Sequence, residues 1–147
     1  IIEKGDRKIY RNVILLTEGT YIDSGTEQPH RFSADLLRRY ATNWSSNYLN
    51  IDHKFDSALY RIGYVKNPRW ERNALKADLE IYLSTQNARD IVALIEDGLV
   101  NELSIEAEIE DKYDIEKGYY VATSIEFTGA AIVVNPACPE AKIKQNA

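Results

Sequence analysis

The sequence predicts an α+β fold in which most strands are antiparallel, and three observations support this prediction. Runs of alternating apolar and polar residues recur along the chain, as they do in strands with one buried face. Two other stretches have apolar residues at helical spacing. The chain has 147 residues, of which 44% are hydrophobic and 28% charged, as is usual for a globular domain with its own core. We therefore expect a single domain over residues 1–147, with a sheet that could close into a barrel.

The first part of the chain is predicted to form a strand, a loop, a helix and a second strand. Residues 8–16 predict a first strand, and the polar stretch 18–30 is rich in turn residues and predicts a loop. Ser33 is suited to cap a helix over residues 34–42, because its side chain can accept a hydrogen bond from a free backbone N–H. Residues 48–53 alternate again and predict a short strand that ends at a histidine.

The middle of the chain is predicted to contain a strand pair and a helix. Residues 58–65 and 74–83 look like two strands, and the Asn-Pro and Arg-Asn pairs between them favour turns, so a hairpin or meander is expected. A helix follows, because Ser84 or Thr85 can cap it and Gly98 can end it. Its apolar residues at helical spacing, which are expected to form a buried stripe, are Ile91, Val92, Leu94 and Ile95.

The segment NELSIEAEIE, residues 101–110, shows the clearest alternation. Its apolar residues occupy one face, and Ser104 lies on the other face with four glutamates. The run 119–134, after a Glu-Lys-Gly turn, predicts the last strand. Because a strand with one buried face has a fixed register, Ser104 would be held rigidly. It is therefore a candidate nucleophile as well as an ordinary surface serine.

The composition argues against several classes of protein. A net charge of −5 at pH 7 is unusual for a protein that binds a nucleic-acid backbone, so no nucleic-acid partner is expected. No run approaches the roughly 18 apolar residues of a membrane span, and no signal peptide is visible, so we expect a cytoplasmic protein without a membrane partner. One cysteine and two histidines are too few for a cysteine-rich zinc site, so no metal or other cofactor is expected.

A serine nucleophile needs a base within hydrogen-bond reach, and at neutral pH that base is usually histidine. His30 follows a proline in the predicted loop, where a solvent-exposed structural role is expected. His53 ends a predicted strand among charged residues. The residues alone leave catalytic and structural roles open, because a catalytic pair is recognised in space and not by spacing in the sequence. The residues next to Ser104 are charged or small, so no apolar pocket is expected beside it.

Several short motifs follow one another in a particular order along the chain. They are a histidine, a Gly-x-Val strand, a helix that ends in glycine and leads to a Leu-Ser strand, and a late Pro-Ala-x-Pro-x-Ala segment. Here these motifs are His53, Gly63 with Val65, Gly98, Leu103-Ser104 and Pro136–Ala141. This order resembles that of the prohead (capsid maturation) proteases of tailed phages, including serine-protease-like domains encoded by prophages. The resemblance covers about residues 10–143.

The resemblance implies a fold like that of the herpesvirus assemblins, a mostly antiparallel β-barrel surrounded by about two helices. It also implies a serine endopeptidase with Ser104 as the nucleophile and His53 as the general base. The late strand places Glu126 where family members tend to have an acidic residue, so Glu126 is expected to orient the imidazole. The alternative acids are Asp52, Asp56 and Glu102.

The resemblance further implies a role in phage procapsid maturation. The substrates would be phage scaffold and major capsid proteins, and the protease itself, within the assembling procapsid in the bacterial host cytoplasm. A homodimer or higher oligomer is one expected form. Two other classes stay open: a catalytically inactive domain of the same fold with a scaffolding role, and an unrelated binding module. Covalent labelling of Ser104 by a fluorophosphonate would separate the protease from both.

Overall fold

The protein is a curled half-barrel of eight strands with two helices, described here from a computed structural model that covers residues 6–22, 27–134 and 136–143. The strands are β1 Arg7–Thr17, β2 Gly19–Ile22, β3 Pro29–Phe32, β4 Trp44–Ile51, β5 Arg61–Glu71, β6 Ala74–Tyr82, β7 Glu102–Asp114 and β8 Tyr119–Val133. The helices are α1 Ala34–Tyr40 and α2 Gln86–Glu96, and a 3₁₀ turn, Ala58–Tyr60, precedes β5. Neither helix in these ranges is long and apolar enough to cross a bilayer.

The strands form one sheet in the order β1-β6-β5-β4-β8-β3-β2, and β7 pairs with β8. Most pairings are antiparallel, as predicted, but β8 runs parallel to both β3 and β4. In the described residues β1 and β7 do not pair, so the sheet curls without closing. The expected closed barrel is therefore wrong. Instead, the chain after β8 folds back against the start of β7, where Lys142 forms a bridge with Glu102.

Two connections differ from the predicted ones. The predicted loop 18–30 contains β2 and the first half of β3, and these strands pair as a hairpin with Tyr21 opposite His30. Residues 23–26 lie outside the described residues. The Asn-Pro pair does not end β5, because a register shift between Lys66 and Arg69 absorbs the proline as a β-bulge. The sharp turn lies at the following Arg-Asn pair, between β5 and β6.

Both helices begin at predicted capping residues. The Ser33 side chain accepts a hydrogen bond from the Leu36 N–H (3.1 Å), and Thr85 accepts one from the Ala88 N–H (3.2 Å). The first helix ends two residues earlier than predicted, at Tyr40. In the second helix the buried residues are Ala88, Ile91 and Ile95. Leu94, which was expected in this buried stripe, is exposed.

A bulge in β8 decides which of its residues face the core. Phe127 and Ala130 are both fully buried in the core, although their odd separation would put them on opposite faces of a regular strand. Thr128 is the extra residue, because the register between β7 and β8 shifts there. The bulge consequently turns Gly129 and Ala131 toward the face opposite the core, where the candidate site lies.

Candidate active site

The sheet face opposite the core carries two neighbouring rows of side chains. Residues paired across β5, β4, β8 and β7 form the first row: Arg61, Asn50, Ala131 and Ser104. Residues paired across β4, β8 and β7 form the second row: Tyr48, Gly129 and Glu106. The β8 member of each row is small, so the side chains of β4 and β7 face each other across it. Two strand spacings separate Ser104 from Asn50, or about 10 Å between α-carbons.

His53 reaches this region from a strained turn at the end of β4. Asp52 and His53 have φ angles of 54° and 58°, and the Lys54 N–H donates to the Ile51 carbonyl (3.0 Å). Positive φ at both central residues is typical of a type I′ turn, and a non-glycine residue in this conformation costs about 1–3 kcal/mol. The Asp52 N–H also donates to the Ile132 carbonyl (3.0 Å), which ties the turn to β8. The imidazole is thus presented by a hydrogen-bonded backbone.

Glu106 connects β7 to both His53 and β4. Its Oε2 lies 2.9 Å from His53 Nδ1, and Asn50 Nδ2 donates to its Oε1 at 2.9 Å. The Glu106 side chain is 9% exposed, whereas the His53 side chain is 37% exposed. A carboxylate at Nδ1 favours the tautomer that carries its proton there, which leaves Nε2 as the free base. Carboxylate and imidazole therefore have the mutual arrangement that is found beside the nucleophile of a serine protease.

Gly129 allows the Glu106 side chain to cross β8. It pairs with Glu106 on one side and with Tyr48 on the other. A Cβ at this position would lie 2.6 Å from the Tyr48 carbonyl oxygen and 2.8 Å from Glu106 Oε1. A side chain here would displace one of them, so the hydrogen bonds between Glu106 and β4 depend on glycine.

A cavity of about 760 Å³ lies beside these residues. Seven consecutive residues of β7, Leu103–Ile109, line it, together with Leu15 and Leu16 of β1. Because successive side chains of a strand point to opposite faces, a cavity that touches all seven passes along the edge of the strand. The cavity thus occupies the split of the half-barrel between β7 and β1, and both Ser104 and His53 line it.

The cavity wall is largely apolar, so the expectation that no apolar pocket lies beside Ser104 was wrong. Its apolar residues outside β7 include Leu15, Leu16, Tyr21, Ile22, Phe32 and Phe55. They come from other strands and loops, which is why the residues around Ser104 gave no sign of them. Arg61 also lines the cavity, and its guanidinium lies 3.6 Å from the centre of the Tyr48 ring.

Tyr21 and Cys138 form a hydrogen-bonded group in the cavity wall. The Tyr21 hydroxyl donates to the Thr17 carbonyl (2.7 Å), and the Cys138 thiol lies 3.4 Å from the Tyr21 oxygen. Burial, followed by the hydrogen bond with Cys138, raises the pKa of Tyr21 to about 12. The phenol therefore stays neutral at ordinary pH and links β2 to β1.

The structure brings Ser104 and His53 to the same cavity but leaves Glu126 outside it. Glu126 is exposed on β8 opposite Glu108, which lies four residues or about 13 Å along β7 from Ser104. Glu106, rather than Glu126, occupies the place beside the imidazole. The alternative acids Asp52, Asp56 and Glu102 make no hydrogen bond to the ring within the described residues. In the same part of the chain, no hydrogen bond joins His53 to Ser104.

Two residues of the site were missed from the sequence, and only Glu106 left a signal there. Glu106 follows Ser104 by two residues, so the predicted alternation already put both on one face. Asn50 lies in the strand before His53, between Leu49 and Ile51. A polar residue between two apolar ones is usual in a half-buried strand, so its burial could not be inferred.

The second histidine of the cavity, His30, also pairs with a carboxylate. Its Nδ1 lies 3.0 Å from Asp111 Oδ2, and its ring stacks on Tyr120 with 5.2 Å between centroids. The expectation of a solvent-exposed histidine was wrong, because β3 pairs with β8 and the ring is largely buried. Among residues 6–22, 27–134 and 136–143, no group of three or more His, Cys, Asp or Glu side chains could hold a metal ion.

Comparisons with known proteins bear on family and fold. The sequence matches the YonD N-terminal domain family over residues 61–147. No curated protein matches it. Among solved structures, the bacteriophage T4 capsid assembly protease, gp21, is similar: the TM-score is 0.59 at 10% sequence identity, and the match covers 89% of this chain and 98% of that chain. At this identity the likeness concerns the fold alone.

Proposed function

The chain belongs to the YonD N-terminal domain family, and from that premise we propose that it is a serine endopeptidase of phage procapsid maturation. Its fold, similar to that of a phage capsid assembly protease, supports a protease-like role in capsid assembly. The proposed substrates are scaffold and major capsid proteins, and the protease itself, within the assembling procapsid in the host cytoplasm. The observation that carries the proposal is the pair of His53 and Glu106 in the cavity that Ser104 lines.

In the proposed reaction, Ser104 Oγ attacks the carbonyl carbon of the scissile peptide bond. His53 Nε2 accepts the hydroxyl proton as the Oγ–C bond forms, and gives it to the amine as the C–N bond breaks. Water then attacks the acyl-enzyme, with its proton taken by Nε2 and returned to Ser104 Oγ as the carboxylic acid leaves. Glu106 keeps the ring in the required tautomer and stabilises the imidazolium.

The position of the cavity favours an extended polypeptide as substrate. In the described residues, ladder pairing on the second edge of β7 is limited to the bridge between Glu102 and Lys142. The N–H and C=O groups of a strand edge can pair with an added extended segment. That edge lines the cavity and carries Ser104, so a segment paired with it would pass beside the nucleophile.

The second candidate is a catalytically inactive domain with a scaffolding role in capsid assembly. The observation that favours it is that no hydrogen bond joins Ser104 to His53 within the described residues. In proteases without substrate, however, this bond is often long and shortens only in the complex. A chemical test of the Ser104 hydroxyl therefore separates the two candidates.

Labelling by a fluorophosphonate is that test, because the reagent needs a serine activated by a base. The Oγ–P bond forms, fluoride leaves, and the hydroxyl proton passes to the base. We expect one adduct per chain, located on Ser104 by peptide mass spectrometry, and none in Ser104→Ala. The control variant is Ser45→Ala, which removes an exposed serine of β4 outside the cavity. An unlabelled wild-type protein, or an adduct on Ser46 of the cavity wall, would contradict the proposal.

A further inference from the structure

We propose that Asn50 is a positioning residue of this site: its side-chain amide holds Glu106 in the orientation in which Glu106 binds His53. The inference rests on the proposed function, because the orientation of His53 matters for activity only if His53 acts as a base. Asn50 would not touch the substrate or the reacting atoms. It would act through Glu106.

The burial of Asn50 is the first observation. Asn50 is 2% exposed and is the single polar or charged residue in the buried set of the described residues. Its Nδ2 donates to Glu106, but its Oδ1 is buried without a hydrogen-bond partner. An unsatisfied buried acceptor is destabilising, so an apolar side chain would suit the fold better at this position. What the amide supplies is the hydrogen bond to Glu106.

The geometry of Glu106 is the second observation. Its two carboxylate oxygens have different partners, since Oε1 accepts from Asn50 and Oε2 lies against His53. Two contacts fix the plane of the carboxylate, whereas one would let it rotate about its last torsion. Asn50 is itself fixed, because its backbone is in register with Ala131 of β8. The backbone pairing of the sheet thus fixes the position of the imidazole through two side chains, Asn50 and Glu106.

Loss of this contact has a specific chemical consequence. A rotated Glu106 would no longer hold the proton of His53 on Nδ1, and the neutral ring would distribute between its two tautomers. The tautomer that carries its proton on Nε2 cannot accept the serine proton there. Removal of the Asn50 amide should therefore slow the activation of Ser104 without removing any reacting group.

Asn47 provides a matched control on the same strand. Its Nδ2 also donates one hydrogen bond, to the Val65 carbonyl (2.9 Å), and it is partly buried. Asn47 does not line the cavity that holds Ser104 and His53. Asn47→Leu therefore removes an amide hydrogen bond from β4 without disturbing Glu106.

Two measurements on the full chain test the proposal. The first is the ¹⁵N spectrum of the imidazole rings, which reports the tautomer of His53 and does not require activity; His30→Gln assigns the two histidines. We expect a single neutral tautomer with the proton on Nδ1 in the wild type and in Asn47→Leu, and a mixture in Asn50→Leu. The second is the rate of fluorophosphonate labelling, which should fall about 100-fold in Asn50→Leu, the usual cost of an ångström-scale misplacement.

Asn50→Ala is the second variant, and it removes the N–H donor without adding bulk or a charge beside Glu106. It should show the same change in tautomer and labelling rate, and it replaces Asn50→Leu if that protein does not fold. Wild-type spectra and labelling rates in both variants would overturn the positioning role. If the wild type is not labelled but the His53 spectrum still changes in the Asn50 variants, the proposed function fails while the positioning role stands.

Discussion

Two histidines line the cavity, and in each the Nδ1 atom lies at nearly the same distance from a carboxylate oxygen but in different surroundings. His53 Nδ1 lies 2.9 Å from Glu106, and His30 Nδ1 lies 3.0 Å from Asp111. In the first pair the carboxylate is 9% exposed and the imidazole 37%, whereas in the second the carboxylate is 28% exposed and the imidazole 12%. A general base must reach its nucleophile while its orienting acid stays fixed. Only the first pair combines an accessible imidazole with a buried carboxylate.

The backbone explains this difference in exposure. His30 lies within β3, which pairs with β2 and β8, and its ring stacks on Tyr120. His53 lies in a strained turn beyond the end of β4, and its carboxylate partner, Glu106, accepts a hydrogen bond from Asn50. The distance from Nδ1 to the carboxylate oxygen would not by itself distinguish the two pairs. The position of each histidine in the sheet distinguishes them.

Replacement of each histidine should give the largest difference between the two pairs. His53→Gln removes the proposed base, so the rate of fluorophosphonate labelling at Ser104 should fall at least about 10⁴-fold, as for members of known triads. His30→Gln removes a buried pair instead, so it should lower the melting temperature more and the labelling rate far less. A larger loss of labelling in His30→Gln than in His53→Gln would reverse the assignment.

Replacement of the carboxylates should have the next largest effect. Glu106→Gln should slow labelling about 10³-fold to 10⁴-fold, because an amide can hold the imidazole in the wrong tautomer. Glu126→Gln is the matched control, since Glu126 is exposed and lies outside the cavity, and it should label at the wild-type rate. Slow labelling in Glu126→Gln with normal labelling in Glu106→Gln would restore Glu126 as the acid.

Gly129→Ala should weaken the same pair without altering a polar group. The added methyl would collide with the Tyr48 carbonyl and with Glu106 Oε1, so we expect labelling about 100-fold slower. Gly118→Ala is the control. The φ of Gly118 is 74°, which disfavours a side chain, but no atom lies within 4 Å of the added Cβ. Equal labelling rates in the two variants, measured on folded protein, would show that Glu106 does not need the space at position 129.

The smallest expected effect is on stability at alkaline pH, and it comes from Tyr21 on the His30 side of the cavity. Tyr21 pairs opposite His30, and burial raises the pKa of Tyr21 from 10.0 to about 12. A group whose pKa is raised on folding contributes stability that is complete below the unfolded pKa and is lost as pH rises through the folded one. Near neutral pH, Tyr21→Phe should cost about 1 kcal/mol for the lost hydrogen bond.

Thermal unfolding followed by circular dichroism tests whether the stabilisation by Tyr21 falls as the pH rises. The difference in melting temperature between the wild type and Tyr21→Phe should narrow between pH 10 and about pH 12. A difference that stays constant, or widens, over this range would show that the phenol of Tyr21 does not titrate as its burial implies.

The position of Ser104 could be predicted from the sequence, because it depends on local alternation. The neighbouring Leu103 is fully buried, which confirms the predicted core face at the start of that strand, but Ile105 and Ala107 are half-buried and Ile109 is exposed. The partner of His53 could not be predicted in this way. Glu106 reaches His53 only because β4 lies parallel to β8 and because a bulge at Thr128 turns a glycine to that face. Small and apolar residues fill both faces of this part of β8, so the sequence pattern does not mark the bulge.

Whether the sheet closes into a barrel could also not be predicted from the sequence pattern. Alternation identifies the strands and their buried faces, but it does not state whether two edge strands meet. The gap between β1 and β7 is decided by tilt and register summed over the whole sheet. The apolar cavity is a consequence of that gap, because residues such as Leu15 and Ile105 line it from opposite sides.

The most direct test of the central claim, that His53 and Glu106 activate Ser104, is a crystal structure of the fluorophosphonate-treated protein. We predict phosphorus bonded to Ser104 Oγ and His53 Nε2 within about 2.6–3.2 Å of an adduct oxygen, with Nδ1 still on Glu106. An unmodified Ser104, or an adduct with His53 turned away from it, would contradict the claim.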